Sequence, residues 1–174
     1  MIIVGIDPGT RHLGWGVISC EGTRLRHVDH GIVHTSTDES IGFRLCEIDD
    51  ALAEMLERCK PDEAAVESLF FAKDPQAASK LGHARGVVLL RLSRAGLPIA
   101  EYPPARVKLA LAGRGRADKK QVAMMVKALL GLRELPGLDA TDALAVAITH
   151  AHIARVDSVI RQGHVPREQG QTRR

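Results

Sequence analysis

Hydrophobic and polar positions change their period along this chain, and the changes predict its elements. Residues 2–7 (IIVGID) form a short β-branched run closed by Pro8-Gly9-Thr10, which reads as a buried strand ending in a turn. Residues 14–20 and 25–34 carry two more strands separated by Glu21-Gly22-Thr23, and connections this short predict an antiparallel meander. The period then lengthens. Phe43, Leu45, Ile48, Leu52, Met55 and Leu56 fall at helical spacings, predicting a helix over 40–59 that Pro61 closes. Residues 63–67 (EAAVE) return to a short strand, 75–95 to a helix stopped by Gly96, and 98–102 to a last strand. Three helices follow, over 104–111, over 118–130 with Asp118 as N-cap, and over 139–160 after the break at Pro136-Gly137. Parallel strands need crossover helices and a meander does not, so this order predicts an α/β fold with a mixed sheet flanked by helices.

Composition narrows the picture. The length of 174 residues fits one domain, expected over 1–160, with 161–174 as a polar, disordered basic tail carrying Arg167, Arg173 and Arg174. Aromatics are 3% of the chain, so Ala, Val, Leu and Ile must fill the core. A net charge of +3 and a pI of about 8.9 permit a nucleic-acid partner without requiring one. Three cysteines with no C-x-x-C pair argue against a disulfide framework or a structural zinc, and fit a reducing cytoplasm. His150 and His152 point to different sides of any helix, which argues against a shared metal. The start of the chain shows no basic leader, and no apolar run approaches about 18 residues, so neither secretion nor a membrane is expected.

The candidate chemistry lies in four carboxylates, Asp7, Glu67, Asp139 and Asp142. Asp7 and Glu67 end the first and fourth strands, and ligand crevices of α/β sheets open beyond strand carboxyl ends. Asp139 and Asp142 are three apart on the last helix and share a face. Convergence of the four would be unfavourable unless a divalent cation compensated it. Magnesium suits such a site, with its preference for hard oxygen ligands, retained waters and substrate phosphate. Each acid also has a plainer reading: Asp7 as the start of a β-turn, Asp139 and Asp142 as helix-terminal acids. Glu67, set in an Ala-Val strand, gains little without a partner.

Positive charge gathers between Lys108 and Lys127, where Arg114, Arg116, Lys119 and Lys120 face only Asp118, and Gly113 and Gly115 leave room for a phosphate backbone. A solvated loop accounts for it equally well, but basic residues at a helix N-terminus oppose the macrodipole, which favours an anionic ligand. Phe70 and Phe71 lie just past Glu67, where adjacent residues of extended chain point opposite ways, so one can be core and the other exposed. Lys80 and Arg85, on the following helix, suit phosphate contacts or ion pairs.

Four blocks in this order resemble the RuvC family of Holliday-junction resolvases: Gly5-Ile6-Asp7-Pro8-Gly9-Thr10, Val66-Glu67 through Phe70-Phe71-Ala72-Lys73, Lys80-Leu81-Gly82-His83-Ala84-Arg85-Gly86, and Asp139-Ala140-Thr141-Asp142-Ala143-Leu144-Ala145. The first block alone also resembles the phosphate motif of actin-like ATPases and sugar kinases, which need two lobes that 174 residues cannot supply. The resemblance implies a ribonuclease H-like mixed five-stranded sheet and a homodimer that nicks a four-way DNA junction symmetrically. It implies that Asp7, Glu67, Asp139 and Asp142 hold two Mg2+ ions, with Mn2+ as a substitute, although some members carry His where this chain has Asp139. It further implies that Lys108 and Lys119 sit near the scissile phosphate, that Phe70 stacks on a junction base, and that a branch-migration helicase of the RuvA and RuvB type is a partner. Arg114, Arg116 and Lys120 join the expected DNA contacts on residue chemistry alone. A relative of the same fold acting on ribosomal RNA precursors, or a junction binder without catalysis, remains the alternative.

Overall fold

The computed structural model describes residues 1–68 and 75–163, with side chains at 75, 77 and 155–163 left aside. In chain order the elements are β1 (Ile2–Asp7), β2 (His12–Glu21), β3 (Arg24–His34), α1 (Ile41–Cys59), β4 (Glu63–Glu67), α2 (Pro75–Arg94), β5 (Ile99–Tyr102), α3 (Pro104–Ala112), α4 (Lys119–Leu130) and α5 (Leu138–Gly163). The strands form one five-stranded sheet in the order β3-β2-β1-β4-β5. β1, β2 and β3 are the antiparallel meander, while β4 and β5 add in parallel through the crossovers α1 and α2. This is the expected α/β, ribonuclease H-like mixed sheet.

Local chemistry sets the element ends. Ser40 caps α1, its Oγ accepting from the Phe43 N–H at 3.2 Å. Asp118 and Gln121 close a reciprocal capping box at the start of α4. Two boundaries differ from expectation. β2 starts at His12, because pairing of His12 with His34 and of Leu13 with Val33 continues the ladder two residues further. α5 runs to Gly163 and not to about 160: Arg161 and Gln162 are good helix formers, and no stop signal precedes the glycine. Of the expected tail, residues 164–174 lie outside the described residues.

Strand alternation divides the core into two. Val4, Ile6, Val17, Ala64 and Val66 face α1 and α2, where they meet Ile48, Leu52, Met55, Val88 and Leu92. Ile3, Ile18 and Ala65 face α5, which is itself covered by α3 and α4. Asp7 shares the parity of Ile3, and Glu63 and Glu67 that of Ala65, so all three acids belong to the α5 face. On that face the helix lies unusually close. A Cβ on Gly5 would collide with the Ala143 carbonyl, and one on Gly14 with the Asp139 carbonyl.

Candidate active site

The site begins with two parallel strands that end together. Ile6 stands opposite Val66, and the next residue of each strand is an acid, so Asp7 and Glu67 emerge side by side. Their carboxyls lie within hydrogen-bonding reach, so one proton can be shared between them. α5 brings the other two acids. Its close seat on Gly5 and Gly14 places its first two turns over the same strand ends, and Asp142 accepts a hydrogen bond from Lys119 Nζ at 2.9 Å.

Asp7, Glu67, Asp142, Lys108 and Lys119 line one cavity of about 280 Å³, with Val107 and Val122 among its apolar walls. Burial and the negative charge of Glu67, Asp142 and Asp139 push the Asp7 carboxyl up from 3.8 to about 8. Burial also raises Glu67, opposed by the hydrogen bond from Asp7 and by the positive charge of Lys119 and Lys108. The Asp142 partner holds the Lys119 ammonium above the usual lysine range. Asp139, in the first turn of α5, does not line the cavity, but its charge acts on Asp7.

This chemistry fits a hard divalent cation. Buried like charges that can ionise together only at a cost are what a cation relieves, and every acidic donor here is a carboxylate oxygen. Among the described residues no three His, Cys, Asp or Glu side chains yet stand at mutual ligand spacing. The Asp7–Glu67 pair nevertheless meets the usual need of magnesium, which is held by one or two carboxylates and completed by waters and substrate phosphate.

The basic residues divide between two places. Lys108 and Lys119 enter the acidic cavity, whereas Arg114 and Lys120 border a neighbouring one of about 420 Å³ with Asp118, Met124 and Met125. Arg116 is exposed on the loop between α3 and α4. Arg85 takes the ion-pair alternative, with Glu101, while Lys80 is exposed on α2. Phe70 and Phe71 lie outside the described residues. Sequence reasoning missed a largely buried polar chain further along α5: Tyr102 Oη lies 2.8 Å from His150 Nδ1, and His150 Nε2 lies 2.6 Å from Glu63 Oε2. The readable signal was a histidine eight residues after Asp142 on an otherwise apolar helix face.

Comparison with known proteins identifies the family. Residues 3–150 match the family model for crossover junction endodeoxyribonuclease RuvC. The protein of that name from Sorangium cellulosum is 54% identical over 166 residues, covering 95% of this chain and 93% of the relative. That from Rhizobium johnstonii is 51% identical over 150 residues, covering 86% of this chain and 89% of its own. Among solved structures, Thermus thermophilus RuvC in complex with a Holliday junction substrate superimposes with a TM-score of 0.86 at 42% identity, covering 91% of this chain and 97% of that one. The chain belongs to the crossover junction endodeoxyribonuclease RuvC family.

Proposed function

We propose that this chain is a structure-selective endodeoxyribonuclease that resolves four-way DNA junctions by paired symmetric nicks, in recombination and DNA repair. The observation that carries the proposal is the single cavity in which Asp7, Glu67 and Asp142 meet Lys108 and Lys119, in a chain of this family. A relative 42% identical was solved with a Holliday junction substrate, and it supports the choice of DNA.

Asp7, Glu67, Asp139 and Asp142 are the proposed magnesium ligands, with manganese able to replace magnesium. When bound, two such ions activate a water and stabilise the leaving oxygen of the phosphodiester. The protein's own groups prepare the site. Asp7 and Glu67 fix two oxygens at adjacent strand ends, and a proton shared by the pair must leave before both can act as ligands. Lys119, now held by Asp142, is placed to turn to a non-bridging phosphate oxygen, and Lys108 approaches from α3. Both stabilise negative charge as it develops on the phosphate. Arg114, Arg116 and Lys120 extend positive charge away from the cut toward flanking DNA, and Phe70 supplies a stacking surface for an unpaired base.

Paired nicks require two copies. Gly82 and Gly86 on α2 have open space above them, and Leu90, one turn further along the same row, is 50% exposed, which supports a helix face for a second copy. The family resemblance adds a branch-migration helicase of the RuvA and RuvB type as a working partner, and a cytoplasmic site of action. Among the described residues no helix is long and apolar enough to cross a membrane. The test is a synthetic four-way junction beside a linear duplex of the same sequence, with and without magnesium. Paired nicks confined to the junction and dependent on the metal are expected. Equal cutting of the duplex, or cutting in chelator, would overturn the proposal.

A further inference from the structure

α5 reaches the active site at one end and a buried polar chain at the other. From Asp142 to His150 is eight residues of helix, about 12 Å. From Glu67 back to Glu63 is four residues of strand, about 13 Å. The two lengths match. α5 runs opposite to β4, with Asp142 beside Glu67 at one end and His150 beside Glu63 at the other.

Between these points small residues alternate with the buried Ile3, Ile18, Leu144 and Ile148. Ala143, Ala147 and Ala151 on the helix meet a sheet that presents Gly5 and Ala65. The small side chains let the backbones approach, and apolar contacts of either size are non-directional, so they hold the helix on the sheet without choosing polar partners. The polar chain provides direction. His150 is 8% exposed and Tyr102 9%, so their polar atoms are costly to leave unpaired. The two ring nitrogens meet both partners at once, Nδ1 facing the Tyr102 hydroxyl and Nε2 facing the Glu63 carboxylate. One ring thereby ties α5 to both β4 and β5.

We propose that the Glu63–His150–Tyr102 chain is the register pin of α5, and that these positioning residues set the separation of Asp142 from Asp7 and Glu67. This rests on the metal reading given above. A shift of one ångström along α5 changes how far Asp142 must travel to share a cation with Asp7 and Glu67. The pin therefore acts on metal affinity and on cleavage together, without touching DNA or metal.

The test measures Mn2+ binding to the full-length protein without DNA, by electron paramagnetic resonance, alongside single-turnover junction cleavage as a function of Mg2+. His150→Leu removes both hydrogen bonds, Glu63→Ala removes one from a side chain that is 32% exposed and so spares the fold, and His150→Gln can restore a donor and an acceptor. Leu52→Ala, on the opposite face of the sheet, serves as a destabilised control. His150→Leu and Glu63→Ala are expected to weaken Mn2+ binding at least fivefold and to raise the Mg2+ concentration for half-maximal cleavage in proportion. His150→Gln should recover most of the loss, and Leu52→Ala should leave both constants within twofold despite its lower melting temperature. Parent-like Mn2+ affinity in both His150→Leu and Glu63→Ala would overturn the pin, as would equal weakening in Leu52→Ala. Asp7→Asn keeps the two readings apart. If Asp7→Asn abolishes Mn2+ binding while the pin variants bind normally, only the pin fails; if parent and Asp7→Asn bind alike, the metal site fails and the pin with it.

Discussion

The two faces of the sheet are built on opposite rules. Toward α1 and α2 the strands present large branched side chains, and Ile48, Leu52, Met55 and Leu92 fill the space against them completely. Toward α5 the same strands present Gly5, Gly14, Gly16 and Ala65 beside Ile3 and Ile18, and over the glycines the helix lies almost on the backbone. The first face is filled by these large side chains, whose burial stabilises the fold. The second adds glycines that permit closeness, and closeness brings carboxylates from a helix within reach of carboxylates on strand ends. One sheet thus separates the side that holds the fold together from the side that stores unfavourable charge.

Breaking the second face should cost activity and little stability. Asp7→Asn keeps the shape of a ligand and loses its charge, so cleavage of a four-way junction should fall by about 10³-fold or more, the equivalent of several kcal/mol of lost metal assistance. Junction binding should stay within a few-fold, and calcium should likewise permit binding but not cutting, because it takes more ligands in looser geometry. Gel-shift and cleavage assays on one preparation measure both; full nicking by Asp7→Asn would remove Asp7 from the ligand set.

Breaking the first face should do the reverse. Leu52→Ala deletes a fully buried side chain and should cost about 2–5 kcal/mol of stability. In a chain of this length each kcal/mol lowers the melting temperature by about 2–4 °C. At a temperature where the variant stays folded, its single-turnover cleavage should match the parent's within about twofold. A large loss of rate in folded protein would mean that the two faces are not independent.

Lys119 sharpens the contrast within the second face. Its side chain is 71% exposed, so Lys119→Ala should leave melting nearly unchanged. An ordinary phosphate contact would, when removed, weaken binding and flatten its salt dependence by about one unit of slope. A group acting on developing charge should instead lower the saturated single-turnover rate, by about 10²-fold. Weaker binding with an unchanged saturated rate would place Lys119 with Arg114 and Lys120 on the flanking surface.

The same division governs how much could be read from the sequence. The α1 face is written in periodicity: Ile48, Leu52 and Met55 recur at helical spacing because apolar burial repeats with the backbone. The strand-end acids were legible for a related reason, since alternation fixes the face on which Asp7 and Glu67 emerge. What the sequence did not show was pairing across elements. Lys119 looked like a DNA contact and also holds Asp142. His150 looked like half of a poor metal pair with His152, yet its partners are Glu63, 87 residues away, and Tyr102, 48 residues away. Hydrogen bonds between distant elements leave no period in the chain, so only the folded arrangement reveals them.

The smallest expected effect tests the stored charge directly. Asp7 has an ordinary value near 3.8 when unfolded and about 8 when folded, so between those limits the native chain holds a proton that the unfolded chain has released. Stability from such a group is fully present below the unfolded value and is lost as pH rises through the folded one. Metal-free protein in chelator should therefore melt at a lower temperature at pH 8 than at pH 5. The side chain can swing toward water in an open cleft, and Glu67 shares the proton, so the difference between the two ends should be only about 1–2 kcal/mol, or a few degrees. Asn carries no charge at any pH, so Asp7→Asn should flatten most of the slope; the rest combines Glu67, which burial raises in the same sense, with His27, which burial lowers and which acts in the opposite sense. Magnesium should oppose the slope at pH 8, where it meets the ionised site, and do little at pH 5, where it must first displace the proton. Thermal melts of parent and Asp7→Asn at both pH values, with chelator and with magnesium, measure all four quantities. A parent that gains stability from pH 5 to pH 8 in chelator would show that the carboxylates are relieved by neighbouring lysines alone, and that the charge stored on the α5 face is not there for a metal to claim.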